Sequence, residues 1–192
     1  LITSAMKSAI GNKEFYMQYQ PQYDYQKQKL IGVEALIRWN HPQRGLVPPL
    51  DFIPLAERSG LIVEISEWIV GEACRELRRW QDKGHHKMVM AINVSPLQFK
   101  RGQLVEDVNN ALRSRGLKPK SLELELTESL LIDDSAAVQE TLAQLRVIGV
   151  GLSIDDFGTG YSNLSYLQKF DVHALKIDRT FIANIVDSEQ DQ

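Results

Sequence analysis

The sequence predicts an α/β fold of parallel βα units, and three observations carry that prediction. Apolar runs of strand length alternate with apolar stripes at helical spacing over most of the chain. Glycines at 84, 116 and 149 stand just past those stripes, where a helix is commonly closed. The 192 residues, 43% hydrophobic and 24% charged, suffice for one domain with a substantial core.

The elements follow in order. A short helical lead covers residues 1–10, and residues 15–25 read as a strand closed by polar residues. A second strand runs from Leu30 to Trp39 and stops at His41-Pro42. A loop holding Gly45, Pro48 and Pro49 follows. Ile65, Trp68, Ile69, Ala73, Leu77 and Trp80 recur at helical spacing and mark a buried stripe. Residues 88–94 form a β-rich run, and Leu104, Val105, Val108 and Leu112 mark the next helix. Leu122 to Thr127 alternates leucine with polar residues, as a strand does. Ser135 caps a helix with Val138, Leu142, Leu145 and Ile148 on its apolar face. Gly151 to Asp155 is a strand, Leu164 to Leu167 a short helix, and Ala174 to Ile177 a strand; a last helix begins near Thr180.

That makes about six strands. A closed (β/α)₈ barrel needs eight and typically ~250 residues, so the chain reads as one domain, 1–192, that stops about two units early. Its opening at Leu1 without an initiator Met also reads as a fragment. The polar tail, 187–192, is expected to fray.

Charge and composition narrow the function. A formal net charge of −3 argues against a grip on polymeric nucleic acid, which calls for a basic surplus. Any phosphate it binds is then small and held at a few points. The lone Cys74 forms no internal disulfide, consistent with a reducing, cytoplasmic compartment. No apolar run approaches the ~20 residues of a membrane span, and no signal peptide is visible. This segment is therefore expected to make no membrane contact, although a parent protein could be anchored through another region.

The chemistry lies in what occupies the strand ends. Successive strands carry Glu34, Asn93, Glu125, Asp155 with Asp156, and Lys176. Charged groups in apolar strands are costly unless paired or metal-bound, and the C-terminal rim of an α/β barrel is where catalytic groups collect. Alternation puts Glu34, Leu36 and Arg38 on one face, with Glu34 and Arg38 about 13 Å apart. Glu123, Glu125 and Thr127 likewise share a face. Asp155 and Asp156 are neighbours, so both reach one site only if the strand ends between them; Phe157-Gly158-Thr159-Gly160 supplies the break. Four carboxylates and an amide are hard oxygen donors suited to Mg²⁺ or Mn²⁺. Two such ions can activate a bridging water for in-line displacement at phosphorus, with Lys176 orienting that water or neutralising charge. The four histidines show no metal-ligand spacing.

These residues sit within six ordered stretches: GVEALIRWNHPQRGLVPP around Glu34-Ala35-Leu36, DFIPLAERSGLI, AINVSPLQF, ELELTES, SIDDFGTGYSNLSYLQ and ALKIDRTFI. Together they closely resemble the EAL domain family of cyclic-di-GMP phosphodiesterases. The resemblance implies a modified TIM (β/α)₈ barrel whose first strand runs antiparallel to the rest, and hydrolysis of cyclic-di-GMP to linear pGpG with two Mg²⁺ or Mn²⁺ ions. It makes Glu34, Asn93, Glu125 and Asp155 ligands of one metal. Asp155 and Asp156 engage the second, and Lys176 contacts the attacking water. Gln20, Leu36 and Arg38 become substrate contacts. Glu128 becomes the anchor of the loop 156–162, whose position governs metal binding and dimer coupling. A homodimer and an upstream sensory or diguanylate-cyclase-type domain are also implied.

One departure stands out. Family members carry a further segment with a catalytic glutamate and a Gln-Gly motif, and nothing after Ile182 matches it. The chain alone is therefore expected to be inactive or to bind substrate weakly. The alternatives are a cyclic-di-GMP receptor that does not cut, disfavoured because receptors usually lose ligands that are kept here, and an unrelated Mg²⁺-dependent barrel such as an enolase-like enzyme.

Overall fold

The structure, a computed structural model, describes residues 2–101, 103–132, 135–158, 172–181 and 183. Six strands lie in one row: β1 (Phe15–Asp24), β2 (Lys29–His41), β4 (Val89–Asn93), β5 (Leu122–Thr127), β6 (Gly151–Phe157) and β7 (Ala174–Ile177). β1 pairs antiparallel with β2, and every later pair along the row is parallel. The antiparallel first strand is thus present. Among the described residues β1 and β7 are the two edges of the row, so the barrel is open between them.

The helices between parallel strands are α3 (Ile62–Asp82), α5 (Leu104–Ser114) and α7 (Ala136–Ile148), and α5 packs against both of the others. On α3 the anticipated stripe faces inward: Ile65, Ile69, Ala73 and Leu77 are buried, while Trp68 and Trp80 pack half-buried at its margin. Gly84, just beyond, takes a left-handed φ of 101°. Ser135 occupies the N-cap position of α7, and Gly149 closes the helix with its N–H on the Leu145 carbonyl. No helix among the described residues is long and apolar enough to cross a membrane.

The structure departs from the expected elements in two places. The stretch expected as a loop after His41 contains strand β3 (Gly45–Val47), antiparallel to the end of β2, and the start of helix α2 (Pro49–Ser59). The prolines that read as loop are helix-starting: Pro49 lies in the first turn, where a missing N–H costs nothing. Phe52 and Ala56, four apart, bury one face of α2. Secondly, α4 (Pro96–Lys100) and α6 (Glu128–Ile132) are five residues long, too short for a periodicity to show. At the start of the last helix expected, near Thr180, the described residues form a 3₁₀ turn, Arg179–Phe181, and residues 182 and 184–192 lie outside the described residues. The short helix at 164–167 and the tail at 187–192 lie outside the described residues.

Strand alternation sorts the side chains between two faces. On β2, Val33, Ala35, Ile37 and Trp39 are buried, and Trp39 packs against Phe15 of β1 and Phe52 of α2 with ring centroids 5.5 and 5.6 Å away. On β5, Leu122, Leu124 and Leu126 are fully buried. The opposite positions, Glu34, Leu36 and Arg38 on β2 and Glu123, Glu125 and Thr127 on β5, then share the other face. The apolar set seals the sheet to its helices and leaves the polar set to build a site.

Candidate metal centre and active site

Parallel pairing brings the carboxylates into one cluster. In register, Asn93 of β4 lies beside Glu125 of β5, and Thr127 beside Asp155 of β6. Glu34 enters from β2, and Lys176 from β7. One carboxylate oxygen from each of Glu34, Glu125 and Asp155 lies within 4.8 Å of the others. The Lys176 ammonium sits among them, 2.9 Å from Glu34 Oε2, 2.8 Å from Glu125 Oε2 and 3.4 Å from Asp155 Oδ1. Asn93 Nδ2 donates to Glu34 Oε1 at 2.8 Å.

Burial sets the electrostatics. Glu125 is 1% exposed, and burial, helped by the negative charge of Glu34, pushes its carboxyl up to about 7 despite the adjoining Lys176. Burial also opposes ionisation of Glu34, but hydrogen bonds from Lys176 and Asn93 outweigh it and hold that carboxyl below the ordinary range. For Lys176, burial is likewise overcome by Glu125 and Glu34, so the ammonium stays charged well above its usual range. Asp156 is raised by burial and by the charges of Asp155 and Asp178.

The donor set fits a hard divalent cation. Glu125 Oε1 is buried without a hydrogen-bond partner among the described residues, an unsatisfied acceptor of the kind a cation would engage. Oxygen ligands from Glu34, Glu125 and Asp155, with the Asn93 side chain adjacent, suit Mg²⁺ or Mn²⁺ and not a thiolate-seeking metal.

The expected strand end between Asp155 and Asp156 is corrected: β6 continues to Phe157. The register with β7 slips between Ile154 and Phe157, and Asp156 takes a left-handed φ of 53°. This irregularity breaks the alternation that would send two successive carboxylates to opposite faces, without ending the strand. Asp155 joins the cluster, while Asp156 lines an adjoining cleft of about 440 Å³ with Asn93, Leu36, Arg38 and Thr127. The cleft's other wall is apolar and comes from α2, through Leu50, Ile53 and Pro54.

Arg38 points its guanidinium along the strand face, where Nε donates to Gln18 Oε1 at 2.8 Å and Nη1 to its neighbour's carbonyl, Ile37 O, at 2.9 Å. Gln20 lies opposite Glu34 in the β1–β2 register and is exposed. Glu128, at the start of α6, accepts the Gly158 N–H on Oε2 at 3.1 Å and so fastens the exit of β6; residues 159–162 of that loop lie outside the described residues. Sequence reasoning missed three contributors. Gln18 shares a strand face with Gln20, a signal that alternation offered. Ser95 lines the cleft and donates to Glu57 of α2 at 2.7 Å. The α2 wall was hidden by its prolines.

A row of parallel strands with an antiparallel leader and a carboxylate cluster at its mouth defines an open α/β barrel with a candidate metal site. More narrowly, the chain belongs to the EAL domain family: the model of that domain matches residues 3–192. The chain is 47% identical over 186 residues to the bifunctional diguanylate cyclase/cyclic di-GMP phosphodiesterase MucR of Pseudomonas aeruginosa, covering 97% of this chain and 27% of MucR. It is 39% identical over 193 residues to the cyclic di-GMP phosphodiesterase PA2567 of the same organism, covering all of this chain and 32% of that protein. Among solved structures, the MucR phosphodiesterase in complex with c-di-GMP matches with a TM-score of 0.93 at 46% identity, over 99% of this chain and 77% of that one. The chain thus spans about a quarter to a third of these curated relatives.

Proposed function

We propose that this domain, as part of a longer parent protein, hydrolyses cyclic-di-GMP to linear pGpG with the aid of two Mg²⁺ or Mn²⁺ ions. The observation that carries this reading is the convergence of Glu34, Glu125 and Asp155 from three strands on one point. Names of the relatives support the substrate. Glu34, Asn93, Glu125 and Asp155 would hold the first ion, and Asp155 with Asp156 the second. Bound there, such ions would lower the pKa of a water and stabilise charge on the leaving oxygen.

The chain's own groups do the rest. Lys176, fixed by carboxylates on three strands, delivers a positive charge beside the reacting phosphate. Arg38, held by Gln18, offers a guanidinium to a phosphate oxygen. Leu36 and the apolar α2 wall present a dry surface to a purine, while Gln20 stands beside Glu34 to meet the substrate's polar edge. Glu128 keeps the β6 exit in place through Gly158. A homodimer and an upstream sensory or cyclase-type domain in a cytoplasmic protein belong to the same reading; the length of the relatives supports the second of these.

In the full-length parent, Glu34→Ala is expected to abolish pGpG formation while leaving the circular dichroism spectrum unchanged. Chromatographic assay with Mg²⁺ or Mn²⁺ checks it, and unaltered turnover would refute the metal-ligand role.

A further inference from the structure

The end of the sheet opposite the carboxylate cluster carries a charge pattern of its own. Two clefts, of about 490 and 500 Å³, open there at the N-terminal entries of β4, β5 and β6 and share Val89 and Lys120. They make one trough, which reaches His173 just before β7. Neighbouring strands stand about 4.8 Å apart, so four entries span roughly 14 Å, the length of about four extended residues. Arg78, Lys87, Lys118, Lys120 and Arg146 line the trough, with Glu123 as the one carboxylate among the described lining residues. The chain as a whole has a formal net charge of −3, so this end runs against the molecule's sign. Arg78 is paired with Asp82, but Lys87, Lys118 and Lys120 are exposed and form no ion pair among the described residues. Chemistry in an α/β barrel gathers at the other rim, so substrate binding does not account for these cations.

Apolar side chains complete the lining: Met88 and Val89 are half-buried, and Val150 and Leu152 are buried. An ion pair at an exposed lysine contributes little by itself, while a concave site of one sign focuses its field on an oppositely charged partner. A partner that brings both carboxylates and an apolar side chain meets both features. No Phe, Tyr or Trp among the described residues lines the trough, and single-stranded nucleic acid relies on such rings for stacking. A bilayer surface would not follow the concavity. We propose that the trough is a docking site for an acidic polypeptide segment, bound extended, with its carboxylates on Lys87, Lys118 and Lys120 and an apolar side chain against Met88 and Val89. The docking is independent of the metal centre and goes beyond the reaction read there.

The test uses the full-length parent and a short fluorescein-labelled peptide of Glu and Asp around two central leucines, read by fluorescence anisotropy. Affinity is expected to fall roughly tenfold when Lys87→Glu, Lys118→Glu and Lys120→Glu are combined. It should also weaken as salt rises from about 50 to 300 mM, and when serine replaces the leucines. The circular dichroism spectrum and pGpG formation of the triple variant should match the wild type, since these lysines lie at the far end from the metal centre. Should the triple variant fold poorly, Lys120→Gln alone, at the seam of the two clefts, is expected to cost roughly threefold in affinity. No binding of the acidic peptide, equal binding of its Gln and Asn counterpart, or unchanged affinity in the folded variants overturns the proposal. Preferential binding of single-stranded RNA or of phosphatidylglycerol vesicles, lost in the same variants, overturns it too and assigns the trough to a phosphate-bearing partner.

Discussion

Glu125 concentrates the electrostatic tension of the site in one side chain. Its carboxyl is buried on a strand flanked by two others, and burial leads the causes that raise it to about 7. Cation and proton then compete for the same oxygens. Because the folded value lies above the ordinary 4.5, Glu125 contributes stability that is complete below about pH 4.5 and is lost as pH rises through about 7. A divalent ion reverses the sign by binding the ionised form. Mn²⁺ affinity is therefore expected to rise roughly tenfold per pH unit up to about pH 7 and to flatten above it. Proton release in buffers of different ionisation enthalpy measures the effect, and Glu125→Gln should abolish it along with most of the affinity. An affinity independent of pH from 5 to 7 would show that Glu125 is ionised before metal arrives.

The elements explain why carboxylates distant in sequence meet. Strands β2, β5 and β6 each present one acidic side chain because alternation and parallel register align them, and both rules operate on the sequence itself. The row of strands, the inward stripe of α3 and the face shared by Glu34, Leu36 and Arg38 were accordingly legible before any coordinates. The bulge at Asp156 was not. A left-handed aspartate leaves no composition signal, and a glycine-rich run beside it pointed to a strand end instead. Nor was α2, since proline in a first helical turn looks like proline in a loop. The same exit from β6 supports a prediction. Gly158 has φ 101°, and a Cβ there would come within 2.7 Å of the Phe181 ring, whereas at Gly45, with φ 70°, nothing lies within 4 Å. Both Gly→Ala changes carry a backbone cost of about 1–2 kcal/mol. Gly158→Ala should cost more, with the excess relieved by adding Phe181→Ala, as a double-mutant cycle of urea denaturation would reveal. Equal costs at the two glycines would mean that the ring yields freely.

At the scale of the molecule, one continuous apolar core runs from α1 (Ile2–Ala9) through the sheet to the helices α3, α5 and α7. Its buried members include Met6, Trp39, Leu77, Leu104, Leu124 and Leu145, so opening any large part of it should open much of the rest. Cys74 reports on that cooperativity. Its thiol is fully buried on α3, and burial pushes it up to about 12, against a smaller opposing influence from Arg115. In the folded protein at pH 8 the thiol is therefore both shielded and protonated, and a disulfide reagent should wait for unfolding. The labelling rate is expected to track the global unfolding equilibrium, with a denaturant dependence close to that seen by circular dichroism. The raised value also fixes a sign. Cys74 contributes stability that is complete below its ordinary value of 9.0 and is lost as pH climbs through about 12. Cys74→Ala should remove that part of the alkaline decline. Rapid labelling of the native protein with no dependence on denaturant would show that α3 separates from the sheet locally, and that the core is less cooperative than its continuity implies.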